Sequence, residues 1–117
     1  MIVNSSKRTV LAGRSKIRDN ILTKGLGLMF KPNLDDEGYV FVFKYDIIAA
    51  IHMLFVFFPI DILWLDRNKN IVEIREKVKP FTLSVIPKYR SRYFIEIPAG
   101  TIERTETDIG DKIQWHN

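Results

Sequence analysis

The chain has 117 residues, of which 46% are hydrophobic and 27% charged, and its formal net charge at pH 7 is +4. These values are ordinary for a globular protein, and the length excludes two separate cores. Because the sequence contains no cysteine, a disulfide framework and thiolate chemistry are excluded as well. The first ten residues contain no apolar run of the kind found in secretory signals, so we expect a cytoplasmic protein.

Short runs rich in β-branched and aromatic residues, separated by turn residues, recur along the chain and predict strands. The predicted strands are, in chain order, 9–12, 27–30, 39–43, 49–57, 60–65, 71–78, 92–97 and 112–115. Two short helical turns are predicted, one over 20–24 after an N-cap at Asp19 and one over 101–107. A polar turn over 66–70 joins the two strands around it. Residues 1–6 are interpreted as a loose lead-in or a short edge strand.

The apolar segment 38–66 contains most of the large hydrophobic side chains and raises the question of a membrane span. Between Asp46 and Asp61 the apolar run is about 14 residues long, which as a helix gives roughly 21 Å against a hydrocarbon layer of about 30 Å. Extending the run would place Pro59 and Asp61 inside the bilayer, at a high energetic cost. We therefore interpret the segment as two buried strands that meet at Pro59.

The alternation in segment 71–78 predicts one inward and one outward face. The residues predicted to point inward are Val72, Ile74, Glu76 and Val78, and those predicted to point to water are Glu73, Arg75 and Lys77.

These elements predict an all-β fold, a compact β-sandwich or partly closed barrel of about eight to nine short strands with one or two short helical turns. A single domain is expected to span residues 1–117, with 1–6 as a loose lead-in and 116–117 as a frayed end. The sequence does not indicate an oligomeric state.

Four local patterns occur in a fixed order from about Thr9 to Trp115: GLMF at 27–30, VFVF at 40–43, His52-Met53 leading to FPID at 58–61 with Leu65-Asp66 behind, and EIPAG at 96–100 followed by IGDKI at 109–113. Together they resemble domain of unknown function 192, also called uncharacterised protein family 0127. The resemblance implies a mostly β single domain that is common in prokaryotes and has no assigned activity. Many members have Trp-Met-Lys-Asn-Thr where this chain has HMLFV at 52–56.

The leading functional hypothesis is a non-enzymatic binding module for a small polar ligand or a protein partner. Its candidate cleft consists of His52, Met53 and Asp61, together with Lys31. A second hypothesis is a hydrolase-like enzyme that uses His52 and Asp61 as a proton-transfer pair, since the two residues would meet across a bend at Pro59. The more common role of such residues is structural, in hydrogen bonds to the backbone. No cofactor or metal site is predicted, because the only other histidine is His116.

A third hypothesis is weak nucleic-acid binding through a basic face. Segments 7–31 and 88–93 mix cations with aromatic residues, as proteins that bind single strands do. The residues concerned are Lys7, Arg8, Arg14, Lys88, Arg90 and Arg92. The modest net charge makes this hypothesis weaker than the first, and binding of this kind would depend strongly on salt.

Overall fold

The computed structural model describes residues 1–19, 28–29 and 31–116, which contain eight strands and one short helix. The elements are β1 (Ile2–Asn4), β2 (Thr9–Ala12), β3 (Arg14–Arg18), β4 (Glu37–Ile47), β5 (Ile60–Leu65), β6 (Ile71–Val78), β7 (Ser91–Pro98), α1 (Thr101–Thr105) and β8 (Ile113–Trp115). The predicted all-β fold is confirmed. Of the other predicted elements, the helix over 20–24 lies outside the described residues, and so do parts of the strand over 27–30, within which Leu28 and Met29 lie in a turn.

The described strands form two sheets. The small sheet has the order β2-β1-β8 and the large sheet the order β3-β4-β7-β5-β6. All neighbouring strands are antiparallel except β3 and β4, which run parallel from the pair Arg14 and Glu37. Strand β1 is the middle strand of the small sheet, paired on both sides. Of the two interpretations of residues 1–6, the loose lead-in is therefore wrong, and the short strand is present but does not lie at an edge. Its alternating side chains Ile2 and Asn4 are both buried, which explains why the segment is ordered.

Both faces of the large sheet are covered at its central strands β5 and β7. All six residues of β5 are inaccessible to solvent, as expected for a strand covered on each side. On one face a cluster of large side chains, Tyr39, Phe41, Ile62, Trp64 and Phe94 among them, packs under residues 48–59 and 79–90, which we call the cap. On the other face a second cluster contacts the small sheet and α1 through Ile2, Leu11, Ala12, Ile102 and Ile113.

The prediction of a strand over 49–57 is wrong, because this segment forms half of the cap. Its pairing is limited to a bridge between Ile51 and Val85 and to backbone hydrogen bonds from Met53 to Thr82 and from Phe81 to Met53. The indole Nε1 of Trp64 donates to the Ala49 carbonyl at 3.0 Å and so ties the cap to the sheet. The left-handed backbone of Phe55, with φ of 56°, ends any extended conformation.

The predicted faces of β6 are also wrong, because two β-bulges interrupt its alternation. One extra residue lies between the pairs Leu65–Ile71 and Trp64–Glu73, and another lies between Ile62–Arg75 and Ile60–Val78. As a result Glu73 is buried, whereas Glu76, predicted to point inward, is exposed. The strand itself is confirmed, as is the turn over 66–70, in which Asp66 Oδ1 accepts the amides of Asn68 and Asn70.

Gly38 allows the two sheets to approach each other. A Cβ atom at this position would lie 2.4 Å from Ile2 Cδ1 and 3.2 Å from both Ala12 Cβ and Ile97 Cγ2. A side chain here would therefore push the sheets apart or displace the end of Ile2.

We expect Gly38→Ala to lower the free energy of unfolding by about 1–3 kcal/mol, because the new methyl group overpacks the interface. Ile2→Val alone should cost about 0.5–1.5 kcal/mol, but it removes the Cδ1 atom that the new Cβ meets. The loss of the double variant should therefore be about 1 kcal/mol smaller than the sum of the two single losses. Urea unfolding measures the free energy of unfolding of the two single variants and the double variant. The control pair combines Gly38→Ala with Ile113→Val. Strict additivity of Gly38→Ala with Ile2→Val would contradict the steric explanation.

Glu96 is a buried carboxyl group in the middle of the large sheet. Its register partners on β4 and β5 are Tyr39 and Ile62, so its side chain lies on the face covered by the cap. No hydrogen bond or ion pair to this carboxyl group is found among the described residues, and burial raises the pKa of Glu96 to about 8. The folded protein therefore holds a proton here that the unfolded chain releases near pH 4.5.

Because the pKa of Glu96 is higher in the folded state, its contribution to stability is greatest below pH 4.5 and falls as the pH rises to about 8. The loss at pH 7 should be about 3 kcal/mol. Glu96→Gln, which mimics the protonated acid, should remove this dependence. Urea unfolding between pH 5 and 8 should show the variant gaining on the wild type as the pH rises, and a difference that is constant with pH would refute this assignment.

Candidate ligand-binding groove

Asp61 acts as a structural link. Its side chain alternates with Leu63 and Leu65 and thus lies on the face of the large sheet that contacts the small sheet and α1. Oδ1 accepts the amide of Lys77 at 2.8 Å, in a bulge where the Lys77 φ is 51°, and Oδ2 accepts the amide of Ile102 at 2.9 Å. The carboxylate has no exposed surface. It joins β5, β6 and the first turn of α1.

The other residues of the predicted cleft lie elsewhere. His52 and Met53 belong to the cap, on the opposite face of the large sheet from Asp61. His52 is exposed and its Nδ1 accepts the Leu54 amide at 3.2 Å, whereas Met53 is fully buried. Lys31 lies 4.0 Å from Glu37 Oε1 and 5.4 Å from the centre of the Tyr39 ring. The structure therefore does not bring these residues into one cleft, and it separates His52 from Asp61 by the thickness of the sheet.

The six predicted nucleic-acid contacts fall into different environments. Lys7 Nζ is 2.8 Å from Asp111 Oδ2 and lines a depression with four acidic side chains, Glu76, Glu103, Glu106 and Asp108. Arg92 Nε is 3.0 Å from Asp46 Oδ1. Arg8 and Arg14 are exposed, and Lys88 and Arg90 line a separate groove. Lys7 and Arg92 thus have carboxylate partners already.

Lys7 belongs to a buried polar cluster that closes the end of the small sheet. Asn4 Nδ2 donates to Thr107 Oγ1 and to Asp111 Oδ2, and the Asp108 amide also donates to Asp111. Burial alone would raise the pKa of Asp111, but the hydrogen bonds from Lys7, Asn4 and Asp108 outweigh it and lower that pKa below its ordinary value. This cluster satisfies its own donors and acceptors, which is the pattern of a structural network.

A groove of about 760 Å³ lies where the start of β6 meets three loops. It is lined by Ile48, Ile71, Val72, Lys88, Tyr89, Arg90 and Ile109. A smaller depression of about 470 Å³ continues it past Glu73 and shares Val72, Lys88, Tyr89 and Ile109. An apolar floor with a few polar groups at the rim is typical of small-molecule sites.

Backbone hydrogen bonds between the start of β6 and the loop before β8 build one wall of the groove. The Gly110 amide donates to the Ile71 carbonyl at 2.8 Å, and the Ile71 amide donates to the Asp111 carbonyl at 2.9 Å. Asn70 Nδ2 also donates to the Gly110 carbonyl. These bonds hold Ile109 beside Val72, with 62% of its side chain exposed.

Glu73 supports the opposite wall. Its Oε1 accepts the Lys88 amide at 2.8 Å and its Oε2 lies 3.4 Å from Arg75 Nη2, so its charge is partly neutralised. Arg90 is held in turn by its contact with the Asp46 carbonyl at 3.4 Å. Sequence reasoning placed Glu73 in water, and no signal in the sequence reveals the bulge that turns it inward.

The groove carries a net positive charge above an apolar floor. Lys88 and Arg90 stand at its rim. Glu73, which lines the adjoining depression, is paired with Arg75, and the Asp46 carboxylate near Arg90 is paired with Arg92. Such a site suits a small organic anion with an apolar body. No group of side chains that could hold a metal ion is found among the described residues. Nor does any helix in the described ranges have the length and apolarity needed to cross a bilayer.

Comparison with known proteins gives consistent matches over nearly the whole chain. The family model of domain of unknown function 192 (DUF192), described as "Uncharacterized ACR", matches residues 2–115. The chain is 38% identical over 115 residues to the UPF0127 protein PH1112 of Pyrococcus horikoshii, covering 98% of both, and 35% identical over 117 residues to a UPF0127 protein of Thermococcus sibiricus, covering 98% of this chain and 74% of the relative.

Two crystal structures share the fold. One is a protein of unknown function from Novosphingobium aromaticivorans, with a TM-score of 0.81 and 24% identity over 86% of this chain and 74% of that one. The other is described as a putative transcription regulator from Sinorhizobium meliloti, with a TM-score of 0.81 and 22% identity over 86% of this chain and 79% of that one. At this level of identity the likeness shows the fold alone.

We expect Asp61→Ala to lower the free energy of unfolding by about 3–5 kcal/mol, because it leaves the amides of Lys77 and Ile102 without acceptors. His52→Ala should change it by less than about 0.5 kcal/mol, because His52 is exposed. Chemical denaturation measures both values. A coupling energy near zero between the two variants is also expected, and a coupling above about 1 kcal/mol would indicate that the residues do interact.

Proposed function

We propose that this chain, which belongs to the DUF192 family, is a non-catalytic binding module for a small organic anion with an apolar body. The observation that supports the proposal is the groove with Lys88 and Arg90 above a hydrophobic floor. Its volume of about 760 Å³ is within the range of small-molecule sites.

The two rim cations give the site its selectivity in this proposal. An exposed cation contributes up to about 1 kcal/mol to the binding of an anion, which is about fivefold in affinity. The apolar part of the ligand would cover Val72 and Ile109, and the Tyr89 ring would contact it from the side. Affinity would thus come from apolar burial, and the choice of an anion from Lys88 and Arg90.

The two alternatives have less support. A hydrolase-like reaction needs His52 and Asp61 within hydrogen-bonding reach of each other, but they lie on opposite faces of the large sheet. The other alternative is nucleic-acid binding, and one protein of the same fold, from Sinorhizobium meliloti, is described as a putative transcription regulator. For this chain, the ion pairs of Lys7 and Arg92 weaken the basic face on which such binding would depend. The cytoplasmic location stays a prediction.

Octanoate and 1-octanol test the proposal, since they share an apolar chain and differ in charge. We expect octanoate to shift the amide resonances of residues 71–72, 88–90 and 109, and to bind about fivefold more tightly than octanol. Arg90→Gln should remove part of that preference, because Lys88 remains, and should leave the affinity for octanol unchanged. Two-dimensional NMR titration measures each dissociation constant and locates the perturbed residues.

Arg67→Gln is the matched control, because Arg67 is an exposed arginine in the turn over 66–70 and does not line the groove. This variant should bind octanoate as the wild type does. Equal affinity for octanoate and octanol, or shifts that avoid the groove, would overturn the proposal.

A further inference from the structure

We infer that the outer surface of the cap docks onto lipid membranes that carry negative charge. This inference does not depend on the proposed function. The cap shares Ile48, Lys88, Tyr89 and Arg90 with the groove, but its other exposed side chains, such as Phe57 and Leu83, lie outside the groove. The inner side chains of the cap cover one face of the large sheet. The composition of its outer side chains indicates the partner.

Most of the large hydrophobic side chains that are exposed in the described part of the chain lie on the cap. They are Ile48, Leu54, Phe55, Phe57, Phe81, Leu83, Ile86 and Tyr89. Leu83 is 76% exposed and Phe57 is 54% exposed, so they extend from the surface rather than line a cavity. Contiguous exposed apolar surface of this kind marks a site of interaction with a protein or a membrane.

The backbone of the cap holds two of these aromatic residues outward at a conformational cost. Phe55 and Phe81 have φ values of 56° and 61°, in the left-handed region that bulky residues rarely adopt. Their rings contact each other edge to face at a centroid distance of 6.2 Å, and Phe57 meets Phe81 in the same way at 5.3 Å. Strain of this kind is typical of segments that serve a function.

The charge of the cap indicates an anionic partner. Residues 47–60 and 79–90 contain no aspartate or glutamate, and they include Lys79, Lys88, Arg90 and His52. A second copy of the chain would bring the same positive charges against one another, which opposes self-association. Surfaces that bind at the interface of anionic membranes combine phenylalanine and leucine with lysine and arginine, as the cap does.

Two features favour lipid over a protein partner. The backbone of the cap bonds internally, through Ile51 with Val85 and Met53 with Thr82 and Phe81, so these groups are not available to an extended peptide. The exposed apolar side chains extend from the surface, and lipid chains accommodate protruding groups without a matching pocket.

Sedimentation with vesicles tests the inference, using phosphatidylcholine alone and phosphatidylcholine mixed with phosphatidylglycerol. We expect the wild type to bind the mixed vesicles at least about fivefold more tightly than the neutral ones. Phe57→Ser with Leu83→Ser should reduce binding to the mixed vesicles by about tenfold or more. Lys79→Gln should reduce binding to the mixed vesicles only, by about fivefold.

Val10→Ser is the matched control, because Val10 is an exposed hydrophobic residue on β2 of the small sheet. It should bind within about twofold of the wild type, and Leu83→Ser alone should still weaken binding if the double variant fails to fold. Three results would overturn the inference: no binding of the wild type to either vesicle, an equal loss for Val10→Ser, or a wild-type dimer that Phe57→Ser with Leu83→Ser converts to a monomer. None of these variants alters the groove, so octanoate binding should be unchanged in all of them.

Discussion

The burial of the large sheet on both faces is the constraint on which the rest of this structure depends. Strand β5 has no residue in contact with water, so the polar groups on and around it must find hydrogen-bond partners within the protein. The small sheet and α1 cover one face, and the cap covers the other. The small sheet approaches so closely that only a glycine fits at position 38 without displacing its neighbours. The hydrogen bond from Trp64 to the Ala49 carbonyl holds the cap on the other face.

Polar groups inside this arrangement are used to join elements. Asp61 accepts amides from a bulge in β6 and from α1, so a residue with the appearance of a catalytic acid serves to hold three elements together. Glu73 does the same for the loop before β7, and in doing so it shapes the groove. Glu96 differs, because it has no hydrogen-bond or ion-pair partner among the described residues. Desolvation keeps its carboxyl group protonated near neutral pH.

The two proposed interaction surfaces are neighbours that differ in chemistry. The groove is an open depression with Lys88 and Arg90 at its rim, and these two cations are also part of the acid-free cap. The cap itself presents protruding aromatic and aliphatic side chains. A protein of this kind would bind an amphiphilic anion beside a surface that contacts anionic lipid.

The sequence by itself determined most of the strands, the all-β fold class and the family resemblance, since these depend on local alternation, turn residues and short motifs. The alternating segments 39–43, 60–65, 71–78 and 92–97 all lie within strands. Strand β3 was missed, because the charged segment RSKIR becomes a strand only by pairing with β4.

Only the tertiary structure decided which apolar run became a cap and which carboxylate turned inward. Segment 49–57 has the composition of a buried strand, yet it forms a loop whose apolar side chains pack against one face of the large sheet. Glu73 and Glu76 exchanged their predicted environments because each bulge adds one residue and reverses the faces that follow it. The groove could not be predicted either, because its walls come from four segments distant in sequence, and only long-range pairing brings them together.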